Sequence, residues 1–297
     1  MTASADLTQN LPLTTKAIAF DFDGTLVRSG KTGLDKGIHI MYAAYLACYA
    51  CGFRKYLHPE NPEKDTERML RAYLRYPGAP RFKQLAAIVN CLVNDIPEAV
   101  ADATSLGISK ELQAEYTEVR ERYNSLYSEL NDIAAERYWN PFPSVKAALA
   151  TLAKDYDLYI ASGVTQDILE KDMLHHGFDC SLFKEIHGGN PAGGSDKGEI
   201  LKNISAKGYT EVLFIADSNL DLVYAKQAEA KFYRIRSDED YSRLLDTIPA
   251  GFPNEADSWD FTEEEKKIFF DKTIHLINAF LEGKALSKTA ATEWINI

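Results

Sequence analysis

Five short, continuously apolar segments, each followed by a helical pattern, constrain the fold more than any other feature of this sequence. They are AIAFD at 17–21, DLYIAS at 157–162, KEIHG at 184–188, EVLFIAD at 211–217 and KFYRI at 231–235. An apolar run without alternation is typical of a strand buried on both faces of a parallel sheet. Strands that alternate with helices therefore predict a doubly wound parallel sheet of the α/β class.

A long helical insertion separates the first strand from the second. Residues 31–140 show helical periodicity and no comparable strand, whereas a crossover between parallel strands needs only about a dozen residues. We therefore predict an α/β core at 1–30 and 141–250 and a separate helical domain at 31–140. Its expected hinges are RSGKTG at 28–33 and NPFP at 140–143.

The C-terminal segment, residues 251–297, is predicted to be a helical tail. Thr262 and Glu265 have the spacing of a capping box, and an apolar stripe follows in the sequence KKIFFDKTIHLINAF. We expect this tail to dock on the core, with a contact between copies in a homo-oligomer as the alternative.

Composition excludes some classes of function. The net charge of -11 opposes binding to nucleic acid or to an anionic membrane surface as a whole-molecule property. The N-terminal residues have neither a basic leader nor an apolar run, and no segment is long and apolar enough to span a bilayer. The four cysteines are too few for a disulfide scaffold, and we interpret the C-x-x-C at Cys48 and Cys51 as buried small side chains. The expected location is cytoplasmic.

Polar residues follow the predicted strands at the ends where ligands of open parallel sheets bind. A lysine also lies just past the third strand, at the start of a helix. The residues are Asp21, Asp23, Ser162, Lys197, Asp217 and Asp221.

Four carboxylates at one crevice require positive charge. Two such groups 4 Å apart repel by about 4 kcal/mol at an effective dielectric of 20. Mg²⁺ suits hard oxygen ligands of this kind, particularly when a substrate phosphate completes its shell. Lys197 adds a further charge, although a lysine in the first turn of a helix opposes the helix dipole. Local rules are broken most often at functional sites.

Two aspartates two residues apart can perform different tasks. One carboxylate can attack phosphorus in line and form an aspartyl phosphate. The other can protonate the departing alkoxide and then take a proton from the attacking water. Gly24 permits the tight turn that brings Asp23 back toward the site.

The motif DFDGT, followed downstream by an apolar strand ending in Ser, a lysine at a helix start and ADSNLD, resembles the haloacid dehalogenase superfamily. The likeness covers about 14–30 and 141–236, and the helical insertion lies where that superfamily inserts a cap domain. The fourth motif of this family, here ADSNLD, often has Gly before its first Asp, where this chain has Ala216. Members that cleave carbon–halogen or carbon–phosphorus bonds usually lack the second aspartate, so the resemblance favours phosphate esters.

The resemblance implies a role for each motif residue. Asp21 would be the nucleophile and a Mg²⁺ ligand, and Asp23 the general acid and base and a backbone ligand of the metal. Ser162 and Gly163 would hydrogen-bond the transferring phosphoryl group. Lys197 would neutralise the nucleophile and the phosphate. The metal site would be completed by Asp217 and Asp221.

Other interpretations remain open at this point. A phosphomutase would use the same nucleophile but return the phosphoryl group to a sugar, and a binding protein could retain the fold without catalysis. Asp217 and Asp221 could simply lie at the start of a helix without a catalytic role, since SNLD is an acceptable capping-box sequence. The expected partner is a small phosphorylated metabolite, but a sugar phosphate, a phosphorylated organic acid and a nucleotide are all compatible with the sequence.

The insertion contains a basic stretch without acidic residues. Its members are Arg68, Arg71, Arg75, Arg81 and Lys83. Helical spacing places the first three on one face, and Arg71, Arg75 and Arg81 are candidates for binding an anionic part of the substrate. The alternative is a solvated basic face. A stripe of aromatic residues, from Tyr42 to Tyr56, is interpreted as packing inside the inserted domain.

Overall fold

The computed structural model describes residues 15–30, 33–79, 81–97, 110–189, 197–283 and 288–296. The strands in chain order are β1 (Lys16–Phe20), β2 (Val27–Arg28), β3 (Asn140–Pro141), β4 (Asp157–Thr165), β5 (Phe183–Gly189), β6 (Glu211–Ala216) and β7 (Lys231–Arg234). The helices are α1 (Asp35–Ala50), α2 (Pro62–Tyr73), α3 (Arg81–Asn94), α4 (Lys110–Arg137), α5 (Val145–Leu152), α6 (Gln166–His175), α7 (Lys197–Ser205), α8 (Asn219–Gln227), α9 (Glu239–Thr247), α10 (Glu263–Leu281) and α11 (Lys288–Asn296).

The five predicted strands form one sheet in the order β5-β4-β1-β6-β7. Strand β1 pairs in parallel with β4 on one side and with β6 on the other, with Phe20 opposite Ile160 and Ile215. The side chains of β1 from Ala17 to Phe20 are completely buried, as expected for a central strand covered on both faces. The prediction of a parallel sheet flanked by helices is confirmed.

Contacts between residues divide the chain into two compact units. One comprises 1–21, 144–215 and 224–255, and the other comprises 22–143, 216–223 and 256–297. The first contains the sheet, and the second contains the inserted helices together with the C-terminal helices. The predicted boundaries at 30, 140 and 250 stay predictions, and Lys31 and Thr32 of the first expected hinge lie outside the described residues.

The second unit is built on a single apolar cluster. Residues of α1, α2, α3, α4, α10 and α11 all contribute to it. The tail therefore packs on the inserted helices, whereas we expected it to dock on the α/β core. Phe269, Leu276 and Ile277 of α10 are at most 1% exposed, and full burial of each such side chain contributes about 1.5–3 kcal/mol.

The chain enters and leaves the insertion through a short antiparallel ladder. Val27 pairs with Pro141, and Arg28 pairs with Asn140. The predicted capping box at the start of α10 is present, with Thr262 accepting from the amide of Glu265 and the Glu265 carboxylate accepting from the amide of Thr262. Within the described ranges, no helix combines the length and apolar character needed to cross a bilayer.

Candidate active site

Asp21 is the first residue after β1, and the sheet fixes its backbone. Its amide donates to the carbonyl of Ile215 at 2.9 Å, which continues the ladder between β1 and β6 by one residue. Asp21 is only 4% exposed. A carboxylate this deeply buried needs a compensating charge or hydrogen bonds.

Lys197 supplies that charge. Its Nζ lies 2.8 Å from Oδ2 of Asp21, and the residue is 9% exposed. Lys197 lies in the first described turn of α7, where the helix dipole disfavours a cation. The ion pair with Asp21 gives a physical reason for a lysine at this unfavourable position.

The turn after Asp21 depends on Gly24. The amide of Gly24 donates to the carbonyl of Val27 at 2.8 Å, and the Val27 amide donates to the carbonyl of Phe22. Gly24 has a φ of +78°, and a Cβ at this position would lie 2.3 Å from Oδ2 of Asp217. The backbone conformation disfavours any residue with a side chain, and the Asp217 carboxylate would have to move to admit one, so the turn lies close against Asp217.

The segment from Asp217 to Asp221, which leads from the end of β6 into the first turn of α8, brings further carboxylates to the site and is called the acidic loop below. The hydroxyl of Ser218 donates to Oδ2 of Asp221 at 2.6 Å and accepts from the amide of Asp221 at 3.2 Å. Asp221 is 1% exposed. Ligand oxygens of Asp21, Asp217 and Asp221 all lie within 4.8 Å of one another. These carboxylate oxygens repel one another unless a cation lies among them. Oxygen ligands of this kind suit Mg²⁺.

Ser162 and Gly163 lie inside β4, because this strand continues to Thr165 and not only to Ser162 as the sequence suggested. The pairing of β4 with β5 is irregular between Ala161 and Thr165. Ser162 is 1% exposed, and its hydroxyl oxygen accepts from the amide of Val164 at 3.1 Å. The irregular strand end thus holds a buried hydroxyl whose proton can be donated elsewhere.

Lys36 is a charged neighbour of the motif that sequence reasoning missed. Its Nζ lies 2.5 Å from Oδ2 of Asp23 and 5.0 Å from the centre of the Trp139 ring. The indole N–H of Trp139 donates to Oδ2 of Asp35, the residue before Lys36, at 2.5 Å. A signal was present, because Asp35 and Lys36 are charged residues at the start of a strongly apolar helix.

Two phenols of the helical unit interact electrostatically with these acids. Burial raises the pKa of Tyr73 well above its usual value, and the negative charge of Asp217 adds to this effect. Burial likewise raises the pKa of Tyr127, with Lys36 lowering it and Asp23 raising it. Both phenols are therefore protonated hydrogen-bond donors at neutral pH.

A family model described as a haloacid dehalogenase-like hydrolase matches residues 15–229, more than half of the chain. The chain belongs to this family. The match spans the ion pair of Asp21 and Lys197, the Gly24 turn and the acidic loop. No curated protein matches the chain significantly.

Several solved structures are similar to this haloacid dehalogenase-like hydrolase. A haloacid dehalogenase-like hydrolase from Streptococcus pneumoniae is 19% identical, with a TM-score of 0.46 over 82% of this chain and 96% of that chain. A predicted phosphoglycolate phosphatase from Haemophilus somnus is 20% identical, with a TM-score of 0.45 and coverages of 74% and 85%. A hydrolase from Pseudomonas syringae is 19% identical, with a TM-score of 0.46 and coverages of 78% and 99%.

The predicted basic candidates of this hydrolase have separate surroundings. Arg71 pairs with Asp95 and, with Arg68, lines a cavity of about 750 Å³ in the helical unit. Arg81 lies 5.7 Å from the ring centre of Tyr127. The prediction that Arg75 shares a helix face with Arg68 and Arg71 is wrong, because α2 ends at Tyr73. Whether Arg71, Arg75 or Arg81 binds substrate stays a prediction.

The interpretations of the cysteines and of the aromatic stripe are confirmed. Cys48 and Cys51 are free and buried, and burial raises the pKa of both thiols. Tyr42, Tyr45 and Phe53 belong to the apolar cluster of the helical unit. These residues stabilise that unit.

Proposed function

We propose that this protein is a Mg²⁺-dependent phosphatase that hydrolyses a small phosphate monoester through an aspartyl phosphate on Asp21. The observation that carries the proposal is the buried Asp21 carboxylate, paired with Lys197 at 2.8 Å and grouped with Asp217 and Asp221. A buried carboxylate held ionised beside a cation is suited to nucleophilic attack.

In the proposed reaction Asp21 attacks phosphorus while Lys197 neutralises charge on the transferring oxygens. Ser162 and the backbone at Gly163 hydrogen-bond the phosphoryl group. Asp23 donates a proton to the leaving alkoxide and later takes one from the water that releases phosphate. Substrate oxygens replace part of the hydrogen bonding that these residues otherwise make within the protein.

Asp21, Asp217 and Asp221 would hold the metal ion, together with the backbone carbonyl of Asp23. A bound Mg²⁺ would screen the carboxylates from one another and favour the approach of an anionic phosphate. The three-carboxylate cluster supports this assignment, since its members repel one another unless a cation lies among them.

The proposed partner is a small phosphorylated metabolite, whose leaving group meets Lys36 and the phenols of Tyr73 and Tyr127. Free cysteines at all four cysteine positions fit a reducing compartment such as the cytoplasm. We also propose that the exposed face of α10 and α11 forms a contact between two copies of the chain.

The test is phosphate release from a broad panel of phosphorylated metabolites, with Mg²⁺ and with a chelator. The Asp21→Asn variant serves as the blank, and circular dichroism verifies its fold. Metal-dependent release from one chemical class by the wild-type protein alone supports the proposal. Turnover only with a bisphosphate primer and without free phosphate indicates a mutase instead, and Mg²⁺ binding without any turnover indicates a binding protein.

A further inference from the structure

The acidic loop at 217–221 is clamped at its centre by the C-terminal segment. The side-chain oxygen of Asn219 accepts from the backbone amide of Trp259 at 2.8 Å. The side-chain amide of Asn219 donates to the backbone carbonyl of the same residue. Two bonds from one planar carboxamide to one residue fix the orientation of the loop as well as its position.

The residue that provides this clamp is itself held in place. The ring of Trp259 packs edge-on against Phe261 at 4.5 Å, and Phe261 packs against Phe269 at 5.2 Å. Phe269 is 1% exposed and lies in α10, four residues after the capping box ends. The clamp is therefore anchored to the apolar cluster of the helical unit rather than to a free end.

The loop is also held from a second direction within the same unit. Gly78 approaches so closely that a Cβ there would lie 2.4 Å from Oγ of Ser218. Ser218 in turn donates to the carboxylate of Asp221. Thus Ser218 and Asn219, which lie between the two acids of the loop, each make a contact that restrains it.

We infer that Asn219 is a positioning residue for the metal-binding loop and that the segment around Trp259 is part of the support of that loop. The inference rests on the proposed function only in assigning Asp217 and Asp221 to Mg²⁺. It adds a role for the C-terminal segment that neither the motifs nor the matched residues 15–229 contain. Preorganised ligands bind a metal more tightly than a loose loop does, because less order must be created on binding.

The test is direct Mg²⁺ binding to the full chain, measured by calorimetry and by the thermal shift that Mg²⁺ produces. Asn219→Ala is expected to weaken Mg²⁺ binding about tenfold, the lower end of the effect of outer partners on metal affinity. The KM for substrate at saturating Mg²⁺ should change less than twofold. Asn219→Ser, too short to reach both groups of Trp259, replaces the alanine variant if that variant does not fold.

Two control variants separate loop positioning from general loss of stability. Asn254 also accepts from a backbone amide, that of Phe232 at 3.2 Å, so Asn254→Ala removes a comparable bond away from the acidic loop. Trp259→Phe keeps the backbone groups that Asn219 contacts and retains an aromatic ring to pack against Phe261. Both controls should bind Mg²⁺ as the wild-type protein does.

Unchanged Mg²⁺ binding in the Asn219 variant overturns the inference, as does an equal loss in Asn254→Ala. Weakened Mg²⁺ binding in a protein that releases no phosphate from any substrate supports the inference and contradicts the proposed function. The two proposals can therefore fail independently.

Discussion

Replacing Lys197 by methionine should destabilise the fold much more than an ordinary lysine substitution does. The side chains of Lys197 and Asp21 are 11% and 6% exposed, and their charged atoms are 2.8 Å apart. At an effective dielectric of 20 this separation corresponds to about 6 kcal/mol of attraction before desolvation is counted. Removing one member of a buried pair leaves the other charge uncompensated, at a cost of about 3–5 kcal/mol.

The assay is urea unfolding in the presence of a chelator, so that no metal replaces the missing charge. Lys207→Met is the matched control, because Lys207 pairs with Glu185 where the two side chains are 36% and 40% exposed. An exposed pair contributes about 1 kcal/mol or less. The double variant Asp21→Asn/Lys197→Met should recover at least about 2 kcal/mol relative to Lys197→Met.

The reasoning is refuted if Lys197→Met unfolds at the same urea concentration as Lys207→Met. It is also refuted if the loss of unfolding free energy in the double variant equals the sum of the losses in the two single variants. In the proposed reaction, Lys197→Met should in addition lower kcat/KM about 100- to 1000-fold, the usual effect of removing a preorganised donor to a developing oxyanion.

Three further substitutions test other parts of the site. Gly24→Ala should abolish activity, because its methyl group would lie 2.3 Å from Asp217. The control is Gly208→Ala, where φ is +92° but the surrounding space is open; it should cost about 1–2 kcal/mol of unfolding free energy and leave the kinetics unchanged. Equal kinetic effects of the two substitutions contradict this reasoning. Burial lowers the pKa of His39 to about 4 from 6.5. As the pH falls, His39 is therefore protonated in the unfolded chain before it is protonated in the folded protein. The free energy of unfolding of the wild-type protein should fall by about 3 kcal/mol between pH 6.5 and pH 4. His39→Leu should lose this pH dependence in parallel unfolding titrations, and an unchanged titration contradicts the assignment. Lys36→Met should raise KM about tenfold for phosphorylated organic acids but not for alkyl phosphates whose leaving group is uncharged, and an equal effect on both refutes a role in recognising the leaving group.

The sheet and the motif positions could be predicted from the sequence because both depend on local pattern. Continuous apolar runs specify strands buried on both faces, and polar residues directly after them must lie at one edge of a parallel sheet. Asp21, Lys197 and the acidic loop could be found in this way. The capping box at Thr262 was predictable for the same reason, since it involves residues three positions apart.

Pairings between distant segments could not be predicted in this way. The clamp between Asn219 and Trp259 joins residues 40 positions apart, and an isolated asparagine in a sequence gives no sign of its partner. The apolar stripe of α10 predicts burial but does not specify which surface covers it, so the packing of the tail on the inserted helices was missed. The end of α2 before Arg75 had a visible cause in Pro77 and Gly78, which disfavour helix continuation.

The most direct test of the proposed chemistry is to trap the phosphoryl group on Asp21. The protein is mixed with Mg²⁺ and a substrate labelled in its phosphate, quenched in acid within one turnover, and digested for mass spectrometry. The label should be found on the peptide that contains Asp21, should be released by hydroxylamine, and should be absent from the Asp21→Asn variant. Turnover without label on that peptide in the quenched samples, or turnover by Asp21→Asn at the wild-type rate, contradicts the proposed nucleophile.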